Sequence, residues 1–412
     1  MAALRSRLHR SLLRFQLNLA ACRDGRWLRS FRKYEGTNLI HTTSIFVPSA
    51  SFMHIPIYHQ PSSCLQVRVF NSSSIKDEIH STTKPREIID PHRLVEEQIS
   101  SLTLQIKQEL QGASQELYKL VEYYFDGQGK LFRPMVVLLM SQACNQHHDF
   151  SQSLITEDQN KIAMISEMIH TASLIHDDVI DAADTRRGKT SINMVWGQRM
   201  SILAGDYVIS IASMLLARIR NDQIVIILSQ VIEDLVRGEF MQLGSKEDES
   251  ERFTHYLRKT FKKTASLLAN SCQAVSILAN CPEEVTEIAY QYGKNIGIAF
   301  QLIDDLLDFT SCDLILGKPT AADLKLGLAT APVLFAAQDY PELNSLIMRR
   351  FSLDGDVETA RHLVAKSDGV EETRYLANQH GREAIKQIKL LKQSESQQAL
   401  INLINTVLTR KK

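Results

Sequence analysis

An all-α fold is what the sequence predicts for most of this 412-residue chain. Three observations carry the expectation. From about residue 90 onward apolar residues recur three and four apart, in segments far longer than a strand needs. Breakers are sparse, with 17 Gly and 10 Pro in the whole chain, and the strict alternation of half-buried strands is nearly absent. Breaks near 127–129, 147–158, 183–190, 244–250, 281–283, 311–322 and 352–356 mark the expected loops, and no second domain is evident.

The first 34 residues carry nine basic side chains, from Arg5 to Lys33, against the single acid Asp24, with Leu4, Leu8, Leu12, Leu13 and Leu17 interleaved. An Arg-rich amphipathic segment without an uninterrupted apolar block predicts a mitochondrial transit peptide over 1–34 and delivery to the matrix. A basic tail without targeting function is the blander alternative. Residues 35–88, rich in Ser, Thr and Pro, read as presequence remainder and linker, and the folded domain is expected over 89–412. Asp90 can cap its first helix, with Pro91 in the opening turn.

A net charge of zero gives no reason to expect a nucleic-acid partner. No run of eighteen apolar residues occurs, since Asp206 interrupts the best one, so any membrane contact is expected to be peripheral. Cysteines 22, 64, 144, 272, 281 and 312 show no metal-ligand spacing and read as reduced. His147-His148 reads as a polar helix end, because adjacent helical positions do not share a face.

Two acidic signatures stand out, Asp177-Asp178-Val179-Ile180-Asp181 and Asp304-Asp305-Leu306-Leu307-Asp308. Helical spacing puts the first two aspartates of each on the face of the last. Three carboxylates on one face, preceded by Leu174-Ile175 or Leu302-Ile303, are costly without a compensating cation, and hard Mg²⁺ fits because it completes its shell with water and phosphate. One such motif is ordinarily a solvated helix face; two argue for a diphosphate site. The basic run Arg186-Arg187-Gly188-Lys189 follows the first claw directly, and guanidinium forks suit phosphate oxygens. Lys130 and Arg133 lie three apart where Pro134 helps start a helix, beside its positive end.

With these residues in place the chain resembles the trans-isoprenyl diphosphate synthases. The resemblance spans roughly 90–412 and rests on GKLFRP, EMIHTASLIHDDVIDAADTRRGK, AGDYVIS, LVRGEFMQLGS, KKTASL, GIAFQLIDDLLDF and GKPTAADLKLG. Within that family it is most similar to the mitochondrial long-chain enzymes of ubiquinone side-chain synthesis. The resemblance implies a helical bundle around a central cavity, the two claws facing each other, and Mg²⁺, three ions per site. It implies condensation of farnesyl or geranylgeranyl diphosphate with successive isopentenyl diphosphates to a decaprenyl or nonaprenyl product.

Carried over position by position, Asp177, Asp178, Asp181, Asp304, Asp305 and Asp308 are catalytic, all but Asp305 as metal ligands. Lys130, Arg133, His170 and Arg187 bind isopentenyl diphosphate; Arg186, Lys263, Thr264, Gln301 and Lys318 bind the allylic diphosphate. Lys262 is expected to be a solvated neighbour. Two departures are visible: Gly127-Gln128-Gly129-Lys130 replaces Gly-Gly-Lys, and Gly327-Leu328-Ala329-Thr330 puts leucine where GKxTxP relatives carry a lysine. Product length is assigned to Ala172 and Ser173, whose small side chains leave the tail path open, although close helix packing asks for the same residues. Ile202, Ile209, Met214 and Leu215 are expected in the core. The resemblance also implies a homo-oligomer and a heteromer with a second synthase subunit. A non-catalytic partner subunit and a class I terpene cyclase are the alternatives; the first would have lost claw carboxylates, and the second the Lys130, Arg133 and His170 set.

Overall fold

The computed structural model describes residues 89–125, 131–148, 154–186, 188–244, 249–310 and 321–411. The expectations for 1–34 and 35–88, and those for Lys130, Arg187 and Lys318, lie outside them. Among the described residues sixteen α-helices follow one another. They are α1 (Glu96–Glu109), α2 (Gln115–Tyr124), α3 (Phe132–His148), α4 (Glu157–Ile180), α5 (Ile192–Trp196), α6 (Gln198–Arg218), α7 (Asp222–Leu243) and α8 (Glu249–Thr260), then α9 (Ser266–Leu278), α10 (Glu283–Thr310), α11 (Ala322–Lys325), α12 (Ala331–Asp339), α13 (Leu343–Met348), α14 (Asp356–Lys366), α15 (Gly369–Ile388) and α16 (Glu395–Thr409). A π-helical turn, Phe261–Ala265, joins α8 to α9. The one ribbon among the described residues pairs Thr185–Arg186 with Lys189–Thr190 around Gly188.

Apolar residues on all sides mark α3 and α9 as the centre of the bundle. Pro134–Asn145 of α3 is almost wholly buried, as is Ser266–Ser276 of α9. Around α9 pack α3, α4, α7 and α10, while α6 lies along α4 and α15 along α10. A buried amide pair fixes three of these helices. Gln159 completes a capping box with Thr156 at the start of α4, exchanges hydrogen bonds of 2.8 and 3.0 Å with Asn145, and donates to the Val275 carbonyl of α9 at 3.3 Å.

Some expectations need correcting. Leu215 is in the core, but Ile202 is 45% and Met214 51% exposed; α6 buries only its α4 side through Ala204, Val208, Ala212 and Leu215. By length and composition α6 is also apolar enough to cross a membrane, because one aspartate does not cancel its apolar run; its packing on α4 makes it a helix of the bundle. Asp90 accepts from the His92 amide at 3.0 Å, yet regular α-helix begins only at Glu96. Cys144, Cys272 and Cys281 are free thiols, and the His147 ring accepts from the Lys392 amide at a helix end.

Candidate active site

The first claw closes α4. Asp177 is partly accessible, Asp178 is 1% exposed, and Asp181 caps the helix C-terminus. Both oxygens of Asp178 are taken: Tyr124 of α2 donates to one, and the Arg186 guanidinium holds the other at 2.5 and 2.7 Å. Asp177 instead faces Lys263, at 3.8 Å, and Lys263 also pairs with Glu239 of α7. Burial above all pushes Asp177 up to about 6; Lys263 opposes the shift, and Glu239 and Asp181 add to it. Asp181 is raised for the same principal reason.

The second claw, on α10, repeats this division. Asp305 is buried and accepts from Tyr256 at 2.5 Å and from Gln301 at 2.8 Å, while Asp304 is exposed and meets Arg410 at 3.1 Å. Burial raises Asp305 to about 6 against those two hydrogen bonds and the attraction of Lys259. Asp308 accepts the Ala322 and Asp323 amides at 3.1 and 3.2 Å, so it ties α11 back onto α10. Each claw thus has an anchored middle aspartate and a more open first one.

A chain of polar contacts joins the claws. Lys263 faces Asp177; the next residue, Thr264, donates to Gln301 at 2.8 Å; Gln301 donates to Asp305. The π turn delivers it by placing Lys263 and Thr264 at the junction of α8 and α9, as such turns often do at functional sites. Gly238 makes room, since a Cβ there would lie 2.7 Å from Cγ of Lys263. Lys262 is 24% exposed but ion-paired. It holds Asp234 at 2.5 Å, whose other oxygen accepts from Ser266 at the same distance, because the wide turn swings Lys262 inward onto α7.

His170 is half-buried on α4, and Arg133 sits in the first turn of α3. Phe132 beside it stacks on Phe300 of α10, centroids 5.2 Å apart, and Arg410 covers Phe300 at 3.9 Å. The start of α3, beside Arg133, therefore packs against α10 one turn before the second claw. Ala172 is fully enclosed in the core, whereas Ser173 is half-buried with its hydroxyl on the His170 carbonyl.

Sequence reasoning passed over Tyr124, Tyr256, Glu239, Lys259, Asp323 and Arg410. No local spacing singles them out, because each reaches the claws from another helix. Gly205 and His176 had a signal, the interior glycine of AGDY: a Cβ there would stand 2.2 Å from the His176 ring, which lies 3.4 Å from Asp206.

The residues present suit a divalent cation. Four carboxylates, Asp177, Asp178, Asp181 and Glu239, share one basic neighbourhood, and Oε1 of Glu239 is buried with no hydrogen-bond partner. Among the described residues no group of three His, Cys, Asp or Glu is arranged to hold a metal ion by itself; Mg²⁺ is ordinarily held by one or two carboxylates and completes its shell from water and phosphate.

Residues 114–364 match the polyprenyl synthetase family model. The chain is 56% identical over 360 residues to the all trans-polyprenyl-diphosphate synthase of Homo sapiens, covering 86% of each. It is 44% identical over 343 residues to decaprenyl-diphosphate synthase subunit 1 of Schizosaccharomyces pombe, covering 77% of this chain and 91% of that one. Among solved structures it is similar to a polyprenyl synthase from Caulobacter crescentus complexed with calcium and isoprenyl diphosphate, at 28% identity and a TM-score of 0.70, covering 80% and 100% of the two chains.

Proposed function

The chain belongs to the polyprenyl synthetase family, and on that premise we propose that it is the trans-prenyltransferase that extends farnesyl or geranylgeranyl diphosphate with isopentenyl diphosphate to the decaprenyl or nonaprenyl chain of ubiquinone. One observation carries the reading: the Lys263–Thr264–Gln301 chain, which ties together two claws 127 residues apart in sequence.

Ionisation of the allylic diphosphate builds negative charge on the departing group. Mg²⁺, three ions per site in this reading, supplies the positive charge that stabilises it. Asp177, Asp178, Asp181, Asp304 and Asp308 would offer the carboxylates for that ion set, Asp178 being the one also held by Arg186. Tyr124 and Tyr256 hold the middle aspartates in place. Lys263, Thr264, Gln301, Lys318 and Arg186 orient the allylic diphosphate; Lys130, Arg133, His170 and Arg187 hold isopentenyl diphosphate with its double bond toward the allylic carbon. Such donors act most strongly when charge develops inside a water-poor site.

The basic, leucine-laced N-terminus directs the protein to the mitochondrial matrix. The chain is read as associating with itself and with a second synthase subunit, and the exposed apolar residues of α6 and α7, among them Ile202, Leu203, Met214, Ile226, Val236 and Phe240, are assigned to the contact with a second copy. A monomer with full activity in sedimentation and assay contradicts that assignment. The function itself is tested by incubating the purified enzyme, with its partner if one is required, with farnesyl diphosphate and excess isopentenyl diphosphate. Chains of roughly nine or ten isoprene units are expected; a cyclised hydrocarbon, or no use of isopentenyl diphosphate, contradicts the reading.

A further inference from the structure

Two thiols outside the claws meet across the bundle. Cys144 lies on α3 and is fully buried, whereas Cys281 stands partly exposed in the connection between α9 and α10. They are 137 residues apart in sequence. The way α9 ends explains the meeting. Asn280 takes a left-handed backbone, φ +53°, its amide donates to the Ile277 carbonyl at 2.9 Å, and the Cys281 amide donates to the Ser276 carbonyl at 3.1 Å. This is the pairing of a Schellman cap, in which the residue after the left-handed one is folded back toward the helix. Cys281 is thereby held in one place, against α3.

Its thiol donates to the Cys144 carbonyl at 3.8 Å, and the Cys144 thiol donates in turn to the Cys281 sulfur. Accepting that bond lowers the Cys281 thiol against its partial burial, while giving it, together with full burial, raises Cys144. The two sulfurs are therefore unequal. The accessible one reaches the thiolate more readily, and the enclosed one stays protonated beside it. A core cysteine used only as a small apolar filler needs no such partner. Cys272, fully buried on α9, fits that plainer description.

We propose that Cys281 and Cys144 form a reversible redox pair, in which Cys281 attacks hydrogen peroxide and Cys144 resolves the product to a disulfide. The Cys281 thiolate attacks one peroxide oxygen, the O–O bond breaks, and the departing hydroxide takes up a proton and leaves as water, so that Cys281 becomes a sulfenic acid. The Cys144 sulfur then attacks the sulfenic sulfur and loses its proton, and the displaced hydroxyl leaves as a second water. In sum the two thiols lose two electrons and two protons to the peroxide, and a dithiol reductant returns them. The disulfide staples α3 to the α9–α10 connection and keeps Cys281 from the irreversible acids further along the oxidation ladder. The inference goes beyond prenyl transfer and uses no claw residue.

The test is peptide mapping of every cysteine in the purified full-length enzyme after brief exposure to stoichiometric hydrogen peroxide, with remaining thiols captured by N-ethylmaleimide under denaturing conditions. A linked Cys144–Cys281 peptide should appear, with the loss of two free thiols, and should vanish on treatment with dithiothreitol, while Cys272 is recovered as its maleimide adduct. In Cys144→Ser the link should be absent and dimedone should tag Cys281, because the sulfenic acid persists without its resolving thiol. In Cys281→Ser the buried Cys144 should remain a thiol under the same exposure. If Cys144→Ser does not fold, Cys144→Ala replaces it. Absence of the Cys144–Cys281 link in wild type overturns the proposal, as does preferential pairing of Cys281 with any other cysteine. A folded Cys144 variant whose Cys281 gives no dimedone adduct overturns it equally.

Discussion

At the scale of single residues, the claws divide their labour in a way that spacing alone did not reveal. The six aspartates were legible because two DDxxD motifs in apolar helix are hard to explain otherwise, yet the pattern made no distinction among their members. The distinction is made by tyrosines from other helices, Tyr124 on Asp178 and Tyr256 on Asp305. Burial raises Asp177 and Asp305 from 3.8 to about 6, which gives a pH dependence. A carboxyl whose folded value exceeds its unfolded one favours folding in acid; that contribution is complete below about 4 and lost as pH rises through about 6. Without metal, the charged claws therefore oppose folding at pH 7.5, and a bound cation reverses this. The rise in melting temperature caused by Mg²⁺ should be clearly larger at pH 7.5 than at pH 5.5, where protons compete for the same oxygens. Asp177→Asn, which mimics the protonated form, should raise the melting temperature of the Mg²⁺-free protein at pH 7.5 by a few degrees. An Mg²⁺ effect independent of pH contradicts the assignment of these two groups.

At the scale of elements, the breaks at 281–283 and 352–356 were readable from Pro282 and from the Asp354-Gly355 turn. The breaks at 219–221 and 389–394 were not. Arg220 ends α6 with a left-handed backbone, φ +55°, at a residue type that carries no turn signal. The π turn was equally hidden, since a widened turn leaves the apolar periodicity almost unchanged. The crossing of α9 and α10 had a mark in Gly293 and Gly297, where a Cβ would come within 2.6 Å of the Leu268 carbonyl and of Cα of Ala265. Product length belongs to this scale because it depends on the side of α4 that the growing chain follows. Ala172 is fully buried, so Ala172→Phe should overpack the core and cost about 1–3 kcal/mol, whereas Ser173 is half-buried. Ser173→Phe should shorten the product by several isoprene units with little loss of stability; chromatography of the dephosphorylated chains decides it. An unchanged length places the tail elsewhere.

At the scale of the whole molecule, the bundle brings two distant segments to one place. Nothing local in either motif says that α4 and α10 present their claws to a common site. α9 packs against both helices, and the turn before it carries Lys263, which meets Asp177, and Thr264, which reaches Asp305 through Gln301. The resemblance to a family supplied the facing arrangement in advance, and the polar chain through Gln301 gives it a physical form in this protein. The central claim is that the two claws act as one diphosphate-ionising site. It is tested most directly by the kcat of Asp177→Ala, Asp304→Ala and the double variant, each checked for folding by circular dichroism. Each single change should lower kcat by roughly two orders of magnitude or more, and the double variant should lose far less than the product of the two, as expected for groups that act as a unit. Near-normal turnover in either folded single variant contradicts the claim.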